Sequence, residues 1–156
     1  MFFLVVIPIA DFGRFYASAV AVEASAREAA DYGAFGASHW SPANVSLTTA
    51  EMERRACVAA AGSHLGEYQS SDPQNATCTN PSFTCTLENG VDAPVDCATS
   101  GGMVGSTDCS QGTTEPPCTV HVRLDYDFTT LLQLPPMPAA IHITRDSRFR
   151  VSNLTP

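Results

Sequence analysis

Six cysteines carry the most definite chemistry in this chain: Cys57, Cys78, Cys85, Cys97, Cys109 and Cys118. Their number is even, and they lie in sequence rich in Thr, Ser, Gly, Pro and Asn. Thiols in such a setting oxidise to disulfides in an extracytoplasmic compartment. The alternative is reduced thiols or a metal site. Zinc ligands usually come as CxxC or HxxxH, and neither spacing occurs here. Short loops favour Cys78–Cys85 and Cys109–Cys118, which leaves Cys57–Cys97, although the sequence allows many other pairings.

A second possible chemistry lies near the C-terminus. His121 and His142 fall on two alternating segments and, with Asp125, would supply metal ligands if those segments were neighbours. The plainer reading is two solvated surface histidines. Asp125 and Asp127 share one face of a strand, as a carboxylate pair or simply as its watered side. No GxSxG, HExxH, Walker or Gly-rich phosphate motif occurs. No catalytic residue, cofactor or metal is expected. "GGMVG" at 101–105 neither follows a convincing strand nor opens a helix, and is expected to be a flexible loop. Asn44, Asn75 and Asn153 begin N-x-Ser/Thr tripeptides, which are common by chance in Ser/Thr-rich sequence.

The elements that must position these residues are legible from periodicity. Phe2, Val5, Ile9, Phe12, Tyr16, Ala19, Val22, Ala26, Ala29 and Gly33 recur at three-to-four spacing, which predicts a helix over residues 1–38. Such a rod is about 55 Å long. Asp11 and Arg14 stand three apart; Glu23, Arg27 and Asp31 stand four apart, so that each can pair with the next. Pro8 predicts a kink. "GASHWSPANVS" breaks the helix. A second helix is expected from Thr48, with Glu51 completing a capping box, to Gly62 or Gly66. Residues 67–118 are turn-rich, with a weak strand signal in "SFTCTLE". "TVHVRLDYDF" and "AIHITRDSRFRV" alternate, and predict two half-buried strands adjacent in an antiparallel sheet. "TTLLQLPPMP" between them is an excursion rather than a tight hairpin.

Net charge is −8, and all 8 basic residues are Arg. An acidic chain repels phosphate backbones, so no nucleic-acid partner is expected. The opening apolar run falls short of the ~20 residues of a membrane span. Extending it brings in Asp11 and Arg14. A helix apolar at one end, alanine-rich in the middle and charged along one line suits a bundle of helices, because small residues permit close approach. Phe12, Phe15 and Tyr16, beside the flat Gly13, would pack against neighbouring helices.

"DFGRFYASAVAVEASAREAADYGAF" resembles the N-terminal helix of TadE-like pseudopilins, of the tight-adherence branch of type IV pilus systems. The matching residues are Asp11, Phe12, Gly13, Arg14, Ala26, Arg27, Glu28, Ala29 and Ala30. "VHVRLDYDF" followed by "IHITRDSRFRV" is similar to that family's closing strands. The family's prepilin-peptidase site does not occur, and the first acid is Asp11. The resemblance implies a non-catalytic pilin-like subunit, held in the inner membrane with the pilus assembly machinery before polymerisation. It would then form an extracellular filament for adhesion or surface contact.

The expected fold is α+β. A long N-terminal assembly helix over 1–38 joins a disulfide-bonded head over 39–156 with an antiparallel sheet. Homo-oligomer contacts are expected through Phe2, Val5, Ile9, Asp11, Phe12, Gly13, Arg14, Phe15, Tyr16, Glu23, Arg27 and Asp31. The rival is a membrane-anchored extracellular binding module that does not polymerise.

Overall fold

Alanine at helical spacing builds α1 (Phe2–Ala34), and the helix continues through Pro8. A computed structural model describes residues 2–63, 65, 77–112, 114–131 and 139–152, with the backbone alone at 2–5. Asn75, Asn153 and most of the Pro-rich excursion lie outside the described residues.

After α1 the chain makes a 3₁₀ turn (Ala37–Trp40) and enters α2 (Val45–Gly62). The capping box expected at Thr48 does not form, and the helix starts one turn earlier. The Thr48 hydroxyl donates to the His39 carbonyl at 2.9 Å, while Glu51 turns forward to Arg54 and Arg55. The expected end at Gly62 stands.

The strands are β1 (Ser82–Glu88), β2 (Val95–Asp96), β3 (Met103–Val104), β4 (Thr107–Asp108), β5 (Thr119–Thr129) and β6 (Ala140–Arg150). Four form one antiparallel sheet in the order β2-β1-β5-β6, while β3 and β4 make a small hairpin. The two alternating C-terminal segments are therefore antiparallel neighbours, with Tyr126 opposite Ile143 and Val120 opposite Phe149. "GGMVG" is not a free loop. Gly101, Gly102 and Gly105 take positive φ around β3, and the Gly102 carbonyl accepts from Cys109 N at 2.9 Å.

One face of the sheet is the core face. Val120, Val122 and Leu124 of β5, with Cys85 and Leu87 of β1, meet Val22, Ala26, Ala29 and Ala30 of α1. Met52, Ala56 and Ala60 of α2 complete the layer, and Trp40 fills its centre. Its indole Nε1 donates to the Gly33 carbonyl at 2.8 Å. A smaller cluster gathers Ala19, Phe128 and Ile143, with Phe15 and Tyr126 against it. The boundary expected at residue 38 is thus not where packing divides the chain. The second half of α1 is core of the head, because alanines leave room for the sheet and α2 to approach it.

Three disulfides form among the described residues: Cys57–Cys78, Cys85–Cys97 and Cys109–Cys118. Only the last agrees with the pairing expected from loop length. Cys85 points into the core from β1, and β2 pairing brings Cys97 N to the Cys85 carbonyl at 3.1 Å. Cys57, on the buried face of α2, takes Cys78. Chain separation counts closure entropy alone, whereas sheet pairing and helix packing decide which sulfurs meet. Loops of 21, 12 and 9 residues are each worth about 2.5–3.5 kcal/mol by restricting the unfolded chain. Non-reducing peptide mapping should recover these three cross-links and no alkylatable thiol. A Cys78–Cys85 peptide would overturn the assignment. The bridges indicate an oxidising compartment, extracellular or periplasmic.

Candidate assembly face

The period of an α-helix sends Val22, Ala26, Ala29 and Ala30 inward, so the opposite line of α1 is left in water. That line carries Val6, Ile9, Phe12, Gly13, Tyr16 and Val20, followed by Glu23, Arg27 and Asp31. Ile9 is 66 % exposed, Phe12 71 %, Tyr16 66 % and Val20 49 %. Nothing lies within 4 Å of where a Gly13 side chain would start. Glu23 pairs with Arg27, whereas Asp31 has no ion-pair partner among the described residues. The expected three-membered ladder is therefore a two-membered one, because one guanidinium has turned N-terminally. Phe2 and Val5 lie on the helical backbone, and their side chains are outside the described residues.

The other expected contact residues turn towards the head. Asp11 and Arg14 pair at 3.1 Å, as their spacing predicts. The second Asp11 oxygen accepts from Leu131 N at 3.0 Å. Arg14 lies over the Phe128 ring at 5.3 Å, and Phe15 meets the same ring edge-on at 5.6 Å. Phe15 thus packs within its own chain rather than waiting for a neighbour. The signal for this was Phe128 at the inward phase of β5, but strand alternation does not say which helix covers it.

On the watered side of the sheet the two histidines stand apart. His142 lies opposite Asp127, while His121 lies opposite Arg148, six residues away along β5. His142 Nδ1 meets Asp127 at 2.8 Å and its Nε2 approaches Asp125 at 3.3 Å. The hydrogen bond with Asp127 holds the His142 imidazole above its ordinary pKa. Burial raises the Asp125 carboxyl, but hydrogen bonds from Thr144 and Arg123 outweigh this and hold it low. His121 sits between Glu88 at 3.1 Å and Asp146 at 3.5 Å. Among the described residues no three His, Cys, Asp or Glu side chains converge on a metal position.

A shallow groove of about 570 Å³ runs between α1 and α2 over Ala24, Val58, Ala59 and Ser63, with Glu28, Arg54 and Arg55 along it. Its charges serve one another. Arg54 and Arg55 both bond Glu51, Arg55 also reaches Glu28 at 3.1 Å, and the Arg55 guanidinium stacks on Tyr32. The hydrogen bond from Arg54 pulls the Glu51 carboxyl down to about 2, against the opposing effect of burial.

No helix among the described residues is long and apolar enough to cross a membrane. The membrane-inserted helix implied by the resemblance is thus not found among the described residues, where Asp11 and Arg14 interrupt the apolar stretch and Ala26, Ala29 and Ala30 are buried in the core. The molecule is a disulfide-stapled α+β domain with an exposed apolar line along α1. Compared with family models, curated proteins and solved structures, the chain matches none.

Proposed function

We propose that this protein is a structural, pilin-like subunit that polymerises through the outward face of α1 into an extracellular filament used in adhesion or surface contact. One observation carries the reading. The helix already buries one face in its own head, yet presents Ile9, Phe12, Tyr16 and Val20 in a continuous exposed line. Aromatic and branched side chains so aligned gain roughly 1.5–3 kcal/mol each on full burial. A line of this kind marks a contact surface rather than scattered surface apolarity. Gly13 lies in the line with open space above it, so another helix backbone can come close there. The resemblance to TadE-like pseudopilins points the same way. A membrane-anchored binding module is the rival, and the charges along α1 favour the filament.

Electron microscopy of the purified, oxidised chain tests the reading. Filaments are expected from the native sequence. Phe12→Glu with Tyr16→Glu should abolish them and leave the circular dichroism of the head unchanged, since neither ring touches the core. Filaments from the double variant would show that α1 is not the joint.

A further inference from the structure

The two edges of the main sheet carry opposite charge. β6 is one edge strand and β2 the other. Residues 145–150 hold Arg145, Arg148 and Arg150 against Asp146, a net charge of +2. Arg148 is 57 % exposed and its nearest acid, Glu88, is 3.9 Å away. Arg150 is exposed and has no ion-pair partner among the described residues. At the opposite edge, the loop into β2 and β2 itself, residues 89–96, hold Asp92 and Asp96, both exposed, and no base.

The register places these charges in line. Asp96 lies opposite Thr86, Thr86 opposite His121, and His121 opposite Arg148. Asp96 and Arg148 therefore end the same transverse row, on the same watered face, about 14 Å apart. A second copy shifted sideways by one sheet width would bring its Asp96 row to the first copy's Arg148 row. The strand directions agree, because such a shift sets β6 antiparallel to the neighbour's β2.

We propose that heads associate edge to edge in the filament, the basic β6 edge of one copy against the acidic β2 edge of the next. The inference rests on the filament reading above and adds the partner of the head. Symmetric alternatives are disfavoured. Two β6 edges would bring a net charge of +2 against +2, and two β2 edges would bring two exposed aspartates against two. The contact that remains joins unlike surfaces and so propagates, as an open polymer requires. The same charges keep β6 from pairing indiscriminately.

The test uses the full oxidised chain and two variants designed to leave the fold intact. Arg148→Glu with Arg150→Glu turns residues 145–150 to −2 and makes both edges acidic. Val91→Arg, Ala93→Arg and Asp96→Asn turn residues 89–96 to +1 and make both edges basic. Asn at 96 retains an acceptor for the Ala98 and Thr99 amides, and Asp92 keeps its bond from Asn89. Sedimentation velocity over a salt series should show native association strengthening as salt falls. Each variant alone should associate about tenfold or more weakly, because like edges now face each other. An equimolar mixture should recover association by alternating the two, which no loss of folding can imitate. A mixture no more associated than its components, or a native chain that stays monomeric at every salt concentration, overturns the proposal. Phe12→Glu/Tyr16→Glu in the same assay separates the two readings. If that chain retains the charge-dependent association but makes no filaments, both stand. If it makes native filaments, the helix reading alone falls.

Discussion

A chain lacking residues 1–38 should fail to fold, whereas one lacking residues 1–10 should fold normally. The longer deletion removes Val22, Ala26, Ala29 and Ala30, all fully buried, together with Ala19 and Ala21. Burial of Val22 alone is worth roughly 1.5–3 kcal/mol, and each alanine methyl adds about 0.8 kcal/mol. The deletion also uncovers Val120, Val122 and Leu124 of β5 and the inner face of α2. It removes the Gly33 carbonyl that receives the Trp40 indole, and the Ala34 carbonyl that accepts from Ser152 N at 3.1 Å. Together these approach the whole stability of an ordinary domain, about 5–15 kcal/mol. The shorter deletion touches none of the residues described as buried. Far-UV and near-UV circular dichroism, with thiol titration, should find the shorter product oxidised and native. The longer one should be aggregated or mispaired. A folded, fully oxidised monomer from the longer deletion would show that α1 is an independent element.

That result bears on what the sequence could say about α1. Alanine at three-to-four spacing states that something comes close to the helix, but not what. The reading as contact between subunits and the reading as internal core predict the same letters. Only the three-dimensional fold shows that Ala26, Ala29 and Ala30 face β5 and α2 of their own chain. The exposed line was legible in part. The spacing singles out Ile9, Phe12 and Tyr16, and they are exposed, because they lie on the side of α1 away from the buried Val22, Ala26 and Ala29. Phe15 was grouped with them by proximity, yet it lies nearly a quarter turn away and meets Phe128.

The strands show the same division between local and non-local information. Alternation in 120–128 and 141–144 is a local signal, and it fixed both the faces and the neighbours correctly. The disulfides depend on which elements meet, so loop length misjudged two of the three bridges. The capping box at Thr48 failed for a related reason. The motif states what Thr48 and Glu51 can do, but His39 and the two arginines offered better partners. Trp40, the largest fully buried side chain, was read only as part of a helix break. A single Trp between breakers was a usable signal, since so large a ring rarely stands in solvent at a turn.

Gly102→Ala should cost the fold about 3 kcal/mol or more, and much of the reason lies in that same Trp40. Gly102 has φ +82°, and an added Cβ would stand 1.6 Å from the Trp40 carbonyl oxygen and 2.8 Å from its carbon. These are backbone atoms, so no side-chain rotation relieves the overlap. Trp40 cannot withdraw either: its ring is fully buried, and its Nε1 is tied to the Gly33 carbonyl. Gly102 is held in turn, with its N–H donating to Ser100 Oγ at 3.1 Å and its carbonyl accepting from Cys109 N. The overlap must therefore be relieved by separating the β3–β4 hairpin from the turn that seats Trp40. Backbone strain of this kind costs of order 1–3 kcal/mol per strained feature, and lost packing around the indole adds to it. Gly101→Ala is the matched control. Gly101 also has positive φ, at +59°, but nothing lies within 4 Å of its would-be Cβ. It should lose only the roughly 1–2 kcal/mol of a left-handed alanine. Guanidinium unfolding of the oxidised proteins, followed by Trp40 fluorescence, compares them directly. Equal losses at the two positions would mean that the close approach of Gly102 to Trp40 does not hold the hairpin on the core.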